Sequence, residues 1–158
     1  MVLTLAACGT TTAPTVGADG KPLPRVYKIK DAREVSFRFL DSMNTLRAAK
    51  SLPPVAFDAA LNAAAETHSR DMSVQNRPWH FGSDGSSPLV RAQRSGFSGR
   101  LLGENISETY ETELETLSSW MAMPDTRVVI MDPMATRLGF AWFQEPSGKI
   151  WWTMVTGA

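Results

Sequence analysis

Apolar positions recur at helical spacing in the first third of the chain. Over residues 31–50, Val35, Phe39, Met43 and Leu46 share one face with Phe37 and Leu40 beside it, and Pro53-Pro54 stops the run. Phe57-Asp58 then opens a second helix in which Asp58 is a natural N-cap. Leu61, Ala64, Ala65, His68 and Met72 line one side of it, and it ends near Gln75-Asn76, before Pro78. Gly82-Ser83-Asp84-Gly85 is turn chemistry. Ser87 caps a third helix that has Pro88 at its first position and Gly96 at its close. Residues 99–106 read as a loop leading into a short extended segment. A fourth helix over residues 111–123 turns Leu114, Leu117, Trp120 and Met121 inward, Pro124 breaks it, and residues 126–131 add one more turn. Aromatic and β-branched runs at 138–145 and 149–156, joined by Pro146-Ser147-Gly148, predict a β-hairpin. Helices first and strands last point to an α+β fold, helices packed on a small antiparallel sheet.

The length of 158 residues suits one domain, placed here at residues 31–158. A hydrophobic fraction of 43% supports a packed core rather than a disordered chain. Acidic and basic residues balance at 16 each, with no basic stripe, so no nucleic-acid partner is expected. Cys8 is the single cysteine and lies outside the folded part, so no internal disulfide staples the domain. Leu5-Ala6-Ala7-Cys8 resembles a bacterial lipobox, with a short apolar run before it that no Lys or Arg precedes. Residues 1–8 are therefore read as a truncated signal segment and Cys8 as a lipid anchor. The polar, small residues 9–30 would tether the domain to a membrane, facing the periplasm or cell exterior. No apolar run reaches the roughly 18–20 residues that a membrane-spanning helix needs.

Chemistry concentrates between Trp79 and Ile106. The chain holds only two histidines, and His80 precedes the turn while Glu104 stands in Gly103-Glu104-Asn105-Ile106. Two readings of His80 compete: it faces a cavity and bonds Glu104, or it pins its own loop through backbone. A carboxylate at Glu104, if buried, needs His80, a backbone N–H or an arginine as partner. His68 on its apolar helix face is expected to be a core histidine with both nitrogens paired, and a second imidazole in the cavity as the lesser option. Asn105 is expected to bond backbone. Asp84 and Arg91 are expected to form a structural salt bridge, and Ser83, Ser86 and Ser87 to serve turns and caps. Glu111, Glu113 and Glu115 read as a solvated helix start that complements the dipole. Alternation sends Trp151 and Trp152 to opposite faces: one joins the core, and the other is exposed for binding or lies under a helix.

Several pieces, in order, carry a resemblance. They are Asn44-Thr45-Leu46-Arg47 with Leu52-Pro53, residues 64–72 around His68, His80-Phe81-Gly82-Ser83-Asp84-Gly85 with Arg91 and Gly96-Phe97, then Gly103-Glu104-Asn105-Ile106, Trp120-Met121, and Ile130-Met131-Asp132-Pro133 before Leu138-Gly139. From Ser42 to Thr156 the chain resembles a bacterial SCP-like domain of the CAP superfamily (cysteine-rich secretory proteins, antigen 5, pathogenesis-related 1). The resemblance implies a three-layer α-β-α sandwich. It also implies a central cavity lined by two histidines and two glutamates able to hold a divalent metal. By position, His80 and Glu104 supply the first of each, whereas the second glutamate falls on Met123 and the second histidine on Thr126. Half the set is missing, so no cofactor is expected, and a loosely held zinc at His80 and Glu104 is the alternative. The leading expectation is a non-catalytic, membrane-tethered module for a lipid-like or cell-envelope ligand, monomeric by default. His80, Glu104, His68, Asn105, Thr126 and Trp120 are its candidate binding residues. The alternative is a hydrolase using Glu104 and His80 as an acid–base pair. A third reading makes the tryptophan-rich hairpin an interaction surface.

Overall fold

In the computed structural model, which describes residues 28–158, side-chain caps start the first three helices. Asp31 accepts from Glu34 N to begin α1 (Ala32–Ala48), Asp58 accepts from Ala60 N and Leu61 N to begin α2 (Ala59–Gln75), and Ser87 accepts from Val90 N at α3 (Pro88–Arg94). Asn76, left-handed at φ 47°, closes α2, and Gly96 at φ 93° follows α3. The helices α4 (Glu113–Ala122) and α5 (Pro124–Ile130) follow, separated by Met123 before Pro124. Residues 1–27, including the lipobox-like Cys8, lie outside the described residues.

The sheet has four strands in the order β1-β3-β4-β2. The expected hairpin is β3 (Arg137–Gln144) and β4 (Ile150–Gly157), antiparallel, with Trp142 opposite Trp152. β2 (Leu101–Glu108) pairs antiparallel with β4 and forms one edge. The loop expected at residues 99–106 is thus mostly strand. Gly103, Glu104 and Asn105 hide it from β-propensity, while β4 supplies the ladder from far along the chain. The two-residue β1 (Ala56–Phe57), parallel to β3, was too short to show a period.

Three layers result. One face of the sheet carries α2 and α3, with Leu61, Ala65, Ala92, Phe97 and Val155 packed together. The other carries α1, α4 and α5, where Phe39, Met43, Leu117, Trp120, Ile130, Phe140 and Trp152 meet. Cover on both faces decides the tryptophans: Trp151 and Trp152 are both fully buried, so neither is an exposed binding residue. Gly139 explains how α2 sits so close to β3, since a Cβ there would lie 2.3 Å from the Leu61 backbone.

Two expectations for α4 are corrected. Glu113 is buried and bonds Arg38 Nε at 2.7 Å, so the acidic helix start is not wholly solvated. Leu114 is 44% exposed, because Glu113, Thr116, Leu117 and Trp120 form the buried stripe and Leu114 lies off it. The first turn is held by a capping box between Thr112 and Glu115. One buried group had no sequence signal. Arg47 is fully buried and donates to the carbonyls of Pro53, Ile130, Asp132 and Ala135 at 2.7–3.0 Å, tying α1 to the end of α5 and the turn after it.

Candidate functional site

Strand alternation sets the site at the β2 edge. Gly103 faces α5 and has no side chain there because Val129 occupies the space, its Cγ atoms 2.8 and 2.9 Å from where a Cβ would stand. Glu104 faces the α2–α3 layer, and Asn105 turns back to donate to Thr126 O at 2.8 Å. Glu104 is the centre of a network. Its side chain is 3% exposed; Oε1 lies 2.9 Å from His80 Nδ1 and 3.7 Å from His68 Nε2, and Oε2 accepts from Arg91 Nη2 at 2.7 Å. Arg91, itself buried, also donates to His80 O and Ser86 O, so one guanidinium fixes both the carboxylate and the turn that carries His80.

The expected Asp84–Arg91 bridge is therefore not formed. Arg94, the next residue of α3 to face the turn, takes Asp84, which also accepts from Ser86 N at 2.9 Å. These contacts, led by Ser86, hold the Asp84 carboxyl well below the usual carboxylate range. Arg91 is freed by that arrangement for the one buried anion nearby.

His68 departs from its expected pairing. Its Nε2 stands 2.9 Å from Trp79 O and must donate there, which leaves Nδ1 as an unprotonated acceptor, buried without a partner. Burial pushes this imidazole below its ordinary value, Glu104 opposes that, and Arg91 adds to it. Below about pH 6.5, where an unfolded imidazole takes its proton, the unfolded chain binds more protons than the folded one, so stability falls with pH. We expect urea midpoints to drop between about pH 7 and pH 5, and His68→Gln to flatten the dependence by up to about 1.4 kcal/mol per pH unit. An unchanged slope in the variant would contradict that role.

The remaining candidates are structural. Thr126 Oγ1 donates to Trp120 O at 2.6 Å, closing the α4–α5 junction. Trp120 is fully buried, packs edge-on to Phe39 and donates its indole N–H to Ile106 O. Met123, exposed, stands at that same junction. None of the three lines the open cleft beside Glu104. That cleft has a volume of about 400 Å³ and is walled by Pro88 and Leu89 of α3, Leu101 and Leu102 of β2 and Val129 of α5, with His80 and Glu104 at its polar side. Its walls are mainly apolar, and a bulge between Leu101 and Gly103 shapes the strand there.

Residues 40–156 match the family described as CAP: Cysteine-rich secretory protein family. The chain belongs to the CAP family. YkwD of Bacillus subtilis is 29% identical over 114 residues, 72% of this chain and 44% of that protein, so the chain spans less than half of its relative. An outer surface protein of Borrelia burgdorferi shares the fold at TM-score 0.74 and 16% identity, covering 81% of this chain and 95% of that one. An extracellular SCP-domain protein of Bacillus anthracis gives TM-score 0.71 at 21% identity, over 82% of this chain and 44% of that one.

Measured against the four-residue cavity that the CAP resemblance implied, this domain differs. A second imidazole does stand against Glu104, yet it comes from α2 as His68, not from position 126. Its facing nitrogen spends its proton on Trp79 O and cannot ligate without losing that bond. Glu104 has both oxygens engaged. Among the described residues no group of three or more His, Cys, Asp or Glu is arranged to hold a metal ion. The donors present do not fit zinc, which takes three or four protein ligands.

Proposed function

We propose that this CAP domain is a binding module rather than a catalyst, and that the cleft beside Glu104 takes a small apolar or amphiphilic ligand of the cell envelope. The Arg91–Glu104 ion pair carries this reading. It balances the buried carboxylate and fixes its geometry, leaving an apolar pocket whose polar side holds a half-exposed imidazole. The extracellular and outer-surface descriptions of the structural relatives support a site of action outside the cytoplasm. The lipobox-like Leu5-Ala6-Ala7-Cys8 supports a membrane tether there. Among the described residues, no helix is long and apolar enough to cross a membrane.

The neutral fluorescent probe phenylnaphthylamine tests the cleft. We expect saturable binding that Leu89→Asp weakens at least about ten-fold, since a charge replaces an apolar contact at the cleft wall. No saturable signal, or full affinity in the folded variant, would overturn the reading.

A hydrolase is the second reading, favoured by the 2.9 Å contact that orients His80 on Glu104 as a base would require. The nearby serines have other duties: Ser83 Oγ donates to Asp71, and Ser87 caps α3. Turnover of nitrophenyl butyrate above background, lost in His80→Gln, would establish this second reading. A rate no higher than buffer would remove it.

A further inference from the structure

Resting on the reading of the cleft as a binding site, we infer that its ligand is uncharged and carries a hydroxyl, the O–H donating to His80 Nε2 while the apolar part lies along Leu89, Leu102 and Val129. The polarity of the cleft is set by how the protons are placed. Glu104 receives Arg91 on one oxygen and His80 Nδ1 on the other, so Nδ1 must carry the proton that faces the carboxylate. In the neutral ring Nε2 is then an acceptor. It has no partner among the described residues, on a side chain that is 51% exposed at the cleft.

Charge complementarity narrows the choice. Among the described residues Glu104 is the one carboxylate in the wall, already balanced by Arg91, and no lysine or arginine lines the cleft. A fatty carboxylate would leave water without a cation to meet it, and Nε2 would present a lone pair to its anionic oxygens. An alkylammonium would find Glu104 already committed. An ether has the oxygen but no donor. Of these groups the hydroxyl is the one that supplies what Nε2 lacks without a charge, and leaving a polar partner unmatched is what discriminates strongly in such sites.

Displacement of phenylnaphthylamine from the full chain compares n-octanol, its methyl ether and octanoate. We expect octanol to displace the probe at roughly ten-fold lower concentration than either analogue, the difference one hydrogen bond supplies. His80→Phe, which keeps an aromatic side chain, should erase the preference over the ether, whatever its effect on the affinity of the probe itself. Octanoate or the ether matching octanol, or a preference that survives His80→Phe, would overturn the inference and leave the binding reading standing. Failure of the probe itself to bind would instead remove the binding reading and this inference with it.

Discussion

Replacing Arg47 by alanine is expected to lower unfolding free energy by about 3–5 kcal/mol. The guanidinium reaches carbonyls of Pro53, Ile130, Asp132 and Ala135 from a fully buried position. Truncation strips those acceptors of their donor and opens a void among Met43, Ile130 and Ala135. Lysine should recover only part of the loss, because a single ammonium cannot spread planar donors over carbonyls on separate segments. Urea unfolding of the variants checks this. A loss below about 1 kcal/mol for Arg47→Ala would mean that water replaces the guanidinium at little cost.

Arg91→Met is expected to cost a similar amount, about 3–5 kcal/mol, for a different reason. Methionine fills much of the same apolar volume, so packing changes little. What remains is a carboxylate at Glu104, 3% exposed, facing two imidazoles and no cation. The turn carrying His80 also loses the donors that hold His80 O and Ser86 O. We therefore expect looser probe binding as well as a lower urea midpoint.

Much of this architecture is legible in the chain. Asp58 and Ser87 announce their helices because capping is local chemistry, and the hairpin shows its aromatic and β-branched runs. The three layers follow from the resemblance, and the packing of helices on both faces of the sheet agrees with them. What stayed hidden is long-range. β2 has a weak local signal and exists through β4. Arg47 sits on an otherwise ordinary amphipathic helix, and its acceptors at Ile130, Asp132 and Ala135 lie far along the chain. His80 and Glu104 stand out as residue types, yet nothing local tells Arg91 to pass over Asp84 for Glu104; that choice depends on Arg94 taking Asp84. For the same reason, His68 came to Glu104 from a helix face that periodicity assigned to the core, and both statements are true of it.

The claim that Glu104 belongs to Arg91 is tested most directly by a double-mutant cycle of Arg91→Met and Glu104→Gln, read as unfolding free energies in urea. We expect strong coupling: the double variant should be more stable than the sum of the single losses allows by about 2 kcal/mol, because removing the carboxylate's charge relieves most of what the missing arginine left behind. Losses that add to within about 0.5 kcal/mol would show that the two side chains act independently. Glu104 would then be a buried anion held by the imidazoles alone, and the case for a binding cleft over an acid–base site would fall with the pair.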